Sequence, residues 1–173
     1  MKTRWLGGSL LITVFVLLGV REARTGGDSD DSRFRASLNG SNEVPAISTS
    51  ARGDFRAQLT ASDTLSFRLR YSGLAPVTLF AHIHFGQHDV NGGVSAFLCG
   101  GSTKPDPCPN ESGEVTGTIV PADVIGPTAQ GILAGEFAEL LRAIRRGDAY
   151  VNVHTTPFPN GEIRGQIKDH DDD

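Results

Sequence analysis

The stretch Val77-Thr-Leu-Phe-Ala-His-Ile-His-Phe-Gly86 decides how this chain folds. Side chains two apart on a strand point to the same face. Leu79, Ala81, Ile83 and Phe85 then face a core, while Phe80, His82 and His84 face away from it. The two imidazoles have their roots about 7 Å apart, close enough to close on one metal ion.

The same alternation recurs along the chain. Phe34, Ala36 and Leu38 alternate with Arg35, Ser37 and Asn39; Phe55, Ala57 and Leu59 with Arg56 and Gln58; Leu65, Phe67, Leu69 and Tyr71 with Ser66, Arg68 and Arg70. Further strands are expected over residues 94–99, 114–120, 149–155 and 162–168, about eight in all. One buried and one wet face per strand means antiparallel sheets and an all-β domain. A single helix interrupts the pattern. In Glu136-Phe-Ala-Glu-Leu-Leu-Arg-Ala-Ile-Arg-Arg-Gly147, Phe137, Leu140, Leu141 and Ile144 fall at i, i+3, i+4 and i+7. Glu136 and Glu139 lie early and Arg145 and Arg146 late, as the helix dipole prefers. Gly147 supplies a stop. This short helix precedes the penultimate strand.

The chain has 173 residues, 38% of them hydrophobic and 21% charged, which suits one folded domain with tails. Gly 21 and Pro 9 favour a turn-rich β protein. A net charge of -4 with no basic stripe argues against nucleic acid as a partner. Lys2 and Arg4 precede an apolar run over residues 5–20, short for a spanning helix and suited to an export signal. Residues 1–23 therefore read as a signal peptide, or as an N-terminal anchor, because Arg21 and Glu22 fit a cleavage site poorly. Membrane contact is expected only through residues 5–20, and only if they are uncleaved. Residues 24–32 form a polar linker, 33–168 the β domain and 169–173 an acidic tail. The destination is secreted, periplasmic or cell-surface. Cys99 and Cys108, the only cysteines, then read as a disulfide closing a Gly/Pro-rich loop.

A third histidine lies far along the chain, in Asp148-Ala-Tyr-Val-Asn-Val-His-Thr-Thr156. Val151 and Val153 take the core face; Tyr150, Asn152 and His154 take the other. Strand parity thus puts His82, His84 and His154 on outward faces, under a roof expected from the disulfide loop and the 121–147 excursion. Three imidazoles suit copper, or zinc with an open fourth position. Asn152 and Thr155 are candidates to orient the rings. Arg164, on the face it shares with Glu162, either steers a small anion towards the metal or pairs with Glu162 on an exposed sheet face. His88 is a fourth candidate on a Gly/Asn-rich loop. The competing reading is structural: His82 and His84 bond a neighbouring strand, and His154 tethers the Pro157-Phe-Pro159 turn. No nucleophile elbow, phosphate loop or dinucleotide fingerprint occurs.

Three stretches resemble the CHRD, or chordin-type, domain family. They are Leu38-Asn-Gly-Ser-Asn-Glu-Val-Pro-Ala46 with Ala51-Arg-Gly53; Ala81-His-Ile-His84 with Asn91-Gly-Gly-Val94; and Gly147-Asp-Ala-Tyr-Val-Asn-Val-His-Thr155 with Gly161-Glu-Ile-Arg-Gly-Gln-Ile167. The resemblance implies a Greek-key β-sandwich or barrel, immunoglobulin-like or superoxide-dismutase-like. More loosely, Phe80-Ala-His82-Ile-His84 and Val151-Asn-Val-His154 are similar to the copper-ligand strands of Cu/Zn superoxide dismutase. No histidine stands at that family's bridging position and no zinc cluster follows. The expectation is an exported, non-catalytic binding module for a protein or envelope component. The alternative is a copper- or zinc-binding protein using His82, His84 and His154, with superoxide-dismutase-like redox activity as its furthest extension.

Overall fold

The computed structural model describes residues 1–2 and 32–169. The expected signal or anchor, nearly all of the linker and the tail beyond Asp169 lie outside the described residues. The strands are β1 (Arg33–Asn39), β2 (Arg52–Ala61), β3 (Thr64–Ser72), β4 (Thr78–Phe85), β5 (Gly93–Cys99), β6 (Gly113–Ile119), β7 (Ala149–Thr155), β8 (Ile163–Gln166) and the two-residue β9 (Lys168–Asp169). The helix α1 spans Phe137–Arg145, before β7. All ladders are antiparallel, in the order β5-β4-β7-β8-β1-β2-β3-β6, with β9 on β1. β5 and β6, the two ends of this path, pack against each other, so the sheet is a nearly closed barrel. Around it the order β7-β4-β5-β6 is a Greek key. The strand expected over 162–168 is broken at Ile167 into β8 and β9.

The inward residues are those the alternation selects. Phe34, Leu38, Phe55, Leu65, Leu69, Ile83, Val151 and Val153 are all buried in one core. Leu79 departs from expectation. Thr78 pairs with Thr155 and Phe80 with His154, so two steps on β4 oppose one on β7. This irregularity leaves Leu79 outside the core cluster. α1 lays Phe137, Leu140, Leu141 and Ile144 into the core. It ends in a Schellman motif: the Gly147 and Asp148 amides donate to the carbonyls of Ile144 and Ala143, and Gly147 has φ 71°. The disulfide Cys99–Cys108 closes as expected, with Cα atoms 5.2 Å apart.

The two walls of the barrel differ on their outer side. On β4, β7 and β8 most outward residues are buried as well, with Phe80 and Gln166 half-buried, and every residue of β7 is buried. On β1, β2 and β3 the outward residues stay at the surface. There the register lines up Lys168, Arg35, Arg56 and Arg68 across four adjacent strands. The expectation that no basic stripe exists is therefore corrected. The arginines are dispersed along the chain, and pairing gathers them.

Replacing Cys99 and Cys108 together by Ala should lower stability by about 2–3 kcal/mol, because the loop-closure constraint on the unfolded chain is lost. Urea denaturation of the double variant measures this.

Candidate metal centre

β4 presents His82 and His84 on its outer face, and the β4–β7 register supplies the third ring. His82 lies opposite Asn152, His84 opposite Tyr150 and Phe80 opposite His154, so His154 is a diagonal neighbour of His82. Ring centroids are 4.5 Å apart for His82 and His154, and 4.4 Å for His82 and His84. One ring nitrogen from each histidine lies within 4.8 Å of the other two. The side chains are nearly inaccessible, at 3%, 9% and 5% exposure for His82, His84 and His154.

Aromatic rings wall the cluster. Phe80 stacks on His82 at 5.3 Å and tilts over His154 at 4.7 Å. Phe97 meets His82 edge-on at 5.3 Å. Tyr150 lies flat on His84 at 4.6 Å, and the Arg164 guanidinium covers the far side of Tyr150, 3.4 Å from its centroid. The expected roof is partly corrected. The loops that bond to the rings are 86–92 and 156–161, since the carbonyl of Gly92 accepts from His84 Nδ1 at 2.8 Å and that of Pro159 from His154 Nδ1 at 3.0 Å. The disulfide loop acts indirectly. A Cβ on Gly101 would lie 1.9 Å from the Phe97 ring, so only glycine lets this loop close over Phe97.

These bonds set the tautomers. A carbonyl can only accept, so Nδ1 carries the proton in neutral His84 and His154, and Nε2 keeps its lone pair. Those two Nε2 atoms and Nδ1 of His82 are buried without a hydrogen-bond partner among the described residues. Each such atom costs about 1–3 kcal/mol. Burial holds all three rings neutral. It pulls His82 down to about 2, helped by His84 and His154. It pulls His84 down to about 4 against the opposing Gly92 bond, and His154 to about 4 against the Pro159 bond.

The other expected residues are placed differently. Asn152 donates to Glu43 Oε1 at 2.6 Å and to the Ile163 carbonyl, and Thr155 donates to Glu162 at 2.8 Å, so both bond away from the rings. Glu162 and Arg164 are no exposed ion pair: they are 1% and 2% exposed, because loops 40–50 and 86–92 cover β8. Arg164 donates to the carbonyls of Gln87 and Val90 and to Asn91 Oδ1, and thereby holds the loop that bonds His84. His88 is exposed beside Asp89 and stands apart from the cluster. The bond from His154 to Pro159 is the tether to the 157–159 turn that the structural reading expected. Phe97, Gly92 and Glu43 escaped sequence reasoning, because their roles depend on loops and neighbouring strands rather than on local spacing. Glu43 and Gly92 had a signal, their places in the Leu38–Ala46 and Asn91–Val94 stretches.

The buried imidazoles give stability a defined pH dependence. Their depressed native pKa values mean that the unfolded chain binds more protons below pH 6.5, so stability present above that pH is lost as pH falls towards about 4. Glu43 acts in the opposite sense. Burial raises it to about 7, so the native state takes up one proton as pH falls from there to about 4.5. Three gained against one released leaves a net loss of up to about 3 kcal/mol per pH unit between pH 6.5 and 4.5. Urea midpoints measured in chelator should fall steeply across that window; a flat profile contradicts the burial argument.

Residues 34–167 match the CHRD domain family. A 42-residue segment is 50% identical to chordin of Danio rerio, covering 24% of this chain and 4% of the length of chordin. No solved structure matches the chain. With the family match running through almost the whole barrel, and both histidine strands inside it, the chain belongs to the CHRD domain family.

Proposed function

We propose that this CHRD domain is an exported, non-catalytic module that holds one transition-metal ion, copper by preference, through His82, His84 and His154. The observation that carries the reading is the set of three buried nitrogens without partners, one on each ring. Three nitrogens about 2.1 Å from a common ion lie about 3.4–3.6 Å apart in tetrahedral or trigonal geometry. One nitrogen from each ring already lies within 4.8 Å of the others, so side-chain adjustments of about 1 Å would close the three on one ion. The rings are neutral, as metal ligands must be, and two are oriented by backbone carbonyls, as in well-ordered metal sites. An all-imidazole donor set suits Cu and Zn, and the general affinity order favours copper.

The structural reading of the histidines accounts for part of this geometry. His154 does tether the 156–161 turn, and His84 tethers the 86–92 loop. A tether uses Nδ1 of each and gives no role to the other nitrogens. Binding rather than turnover is favoured by enclosure: Phe80, Phe97 and Tyr150 pack against the rings where a substrate would need to approach. Copper supplies one-electron chemistry when bound, and in this pocket the surrounding residues restrict access to it. The disulfide is consistent with an oxidising compartment.

Untagged protein offered copper and zinc should retain close to one equivalent, with copper displacing zinc. His154→Ala should reduce this well below one equivalent. Substoichiometric metal that His154→Ala leaves unchanged would sink the proposal. Arg164→Lys, which weakens the hold on loop 86–92 while keeping all three ligands, should lower metal affinity about 10–100-fold in a competition titration. A metal present at 100 times its dissociation constant should stabilise the fold by about 2.7 kcal/mol.

A further inference from the structure

We propose that the centre is selective for monovalent copper: His82, His84 and His154 hold Cu(I) as a three-coordinate ion and discriminate against Cu(II) and Zn(II). This assignment rests on the three-histidine metal site proposed above and adds the oxidation state of its ion. The number of donors, the walls and the local charge each point to it.

The donor set stops at three. Among the described residues no carboxylate or thiolate joins the three histidines on one ion. Both cysteines are tied in the disulfide, and the single methionine is Met1. Cu(I) has a filled d shell and is stable with three donors in a plane around it. Zn(II) held by three histidines keeps a fourth position for water, and Cu(II) favours a square or tetragonal set.

The walls offer no fourth donor. Phe80 covers His82 and His154, Phe97 meets the edge of His82, and Tyr150 lies flat on His84. Their ring carbons cannot ligate an ion. The Tyr150 hydroxyl is engaged by the Gly92 amide at 3.1 Å, and the carbonyls of Gly92 and Pro159 already accept from the rings. A water admitted as fourth ligand needs two to four polar partners, and these aromatic walls supply none.

Charge acts in the same direction. The cost of taking an ion out of water grows with the square of its charge, and three neutral imidazoles compensate none of it. The bare hydroxyls of Thr78 and Ser95 are neutral as well. Glu43, bonded to Asn152, is raised to about 7 by burial, so much of it is uncharged at neutral pH. The Glu162 carboxylate is taken up by Thr49, Thr155 and the Ala75 amide. The fixed charge that acts on His84 is the Arg164 guanidinium, stacked on the far side of Tyr150. A positive charge there opposes a dication twice as strongly as a monocation.

The test uses the whole protein with its disulfide formed. Cu(I) is supplied under nitrogen with ascorbate and titrated against bicinchoninate; Cu(II) and Zn(II) are titrated against nitrilotriacetate. One equivalent of Cu(I) should bind, more tightly than Zn(II) and at least about 100-fold more tightly than Cu(II). That ratio places the bound couple about 120 mV above aquated copper. X-ray absorption of the Cu(I) form should show three nitrogen neighbours and no fourth ligand. Phe97→His, which offers a fourth imidazole opposite His82, should tighten Zn(II) and Cu(II) about 100-fold and change Cu(I) less than about tenfold. Cu(II) or Zn(II) binding to the parent as tightly as Cu(I) overturns the selectivity while leaving the metal site standing. A fourth ligand on bound Cu(I), or unchanged selectivity in folded Phe97→His, does the same. If none of the three ions binds, or if His154→Ala leaves Cu(I) binding unchanged, the metal site itself is lost and the selectivity with it.

Discussion

The ladder between β4 and β7 is the constraint on which the rest depends. Its register sets Phe80 against His154, His82 against Asn152 and His84 against Tyr150. Because side chains alternate, a slip of one residue would turn Val151 and Val153 outward and carry His154 into the core. The core forbids that slip. Ile83, Val151 and Val153 are fully buried on the inner face, and the outer face inherits its arrangement from them. The histidine cluster is thus a by-product of apolar packing on the other side of the same two strands.

Burying that outer face brings many polar groups out of water, and most of them are matched. Glu162 accepts from Thr49, Thr155 and the Ala75 amide; Asn152 binds Glu43; Arg164 spends its guanidinium on two carbonyls and an amide oxygen. These bonds stitch loops 40–50 and 86–92 down onto β7 and β8, and they keep water from the rings. Thr78 Oγ1 on β4 and Gln166 Oε1 on β8 also lack a partner among the described residues, but the three bare ring nitrogens differ in belonging to side chains that converge. A fold that meets the needs of a buried arginine and a buried glutamate leaves its imidazoles unmatched where they converge. Gly161 shows how tightly the cover fits, since a Cβ there would lie 2.6 Å from Asn152 and 2.7 Å from Glu43.

The opposite wall follows another logic. Among the described residues no loop covers β1, β2 and β3, and their outward side chains are exposed or half-exposed, where a charge costs little. One barrel therefore offers a dry, neutral, nitrogen-lined site on one side and a wet cationic row on the other.

Strand alternation alone determined the fold class, most of the core residues carried by strands and the outward placement of His82, His84 and His154, because a period of two is a local property of the chain. Helix periodicity did the same for α1, and compartment chemistry for the disulfide. Tertiary structure decided the rest. The burial of Glu162 and Arg164 depends on loops 40–50 and 86–92, which carry no periodic signal. The partners of Asn152 and Thr155 are carboxylates brought from elsewhere in the chain or across a turn, so their positions on β7 could not distinguish ring orientation from loop anchoring. The arginine row is invisible in a linear reading, because Arg35, Arg56, Arg68 and Lys168 become neighbours only through strand register. Parity says which way a side chain points; what it meets there is set by whichever distant segment folds over it.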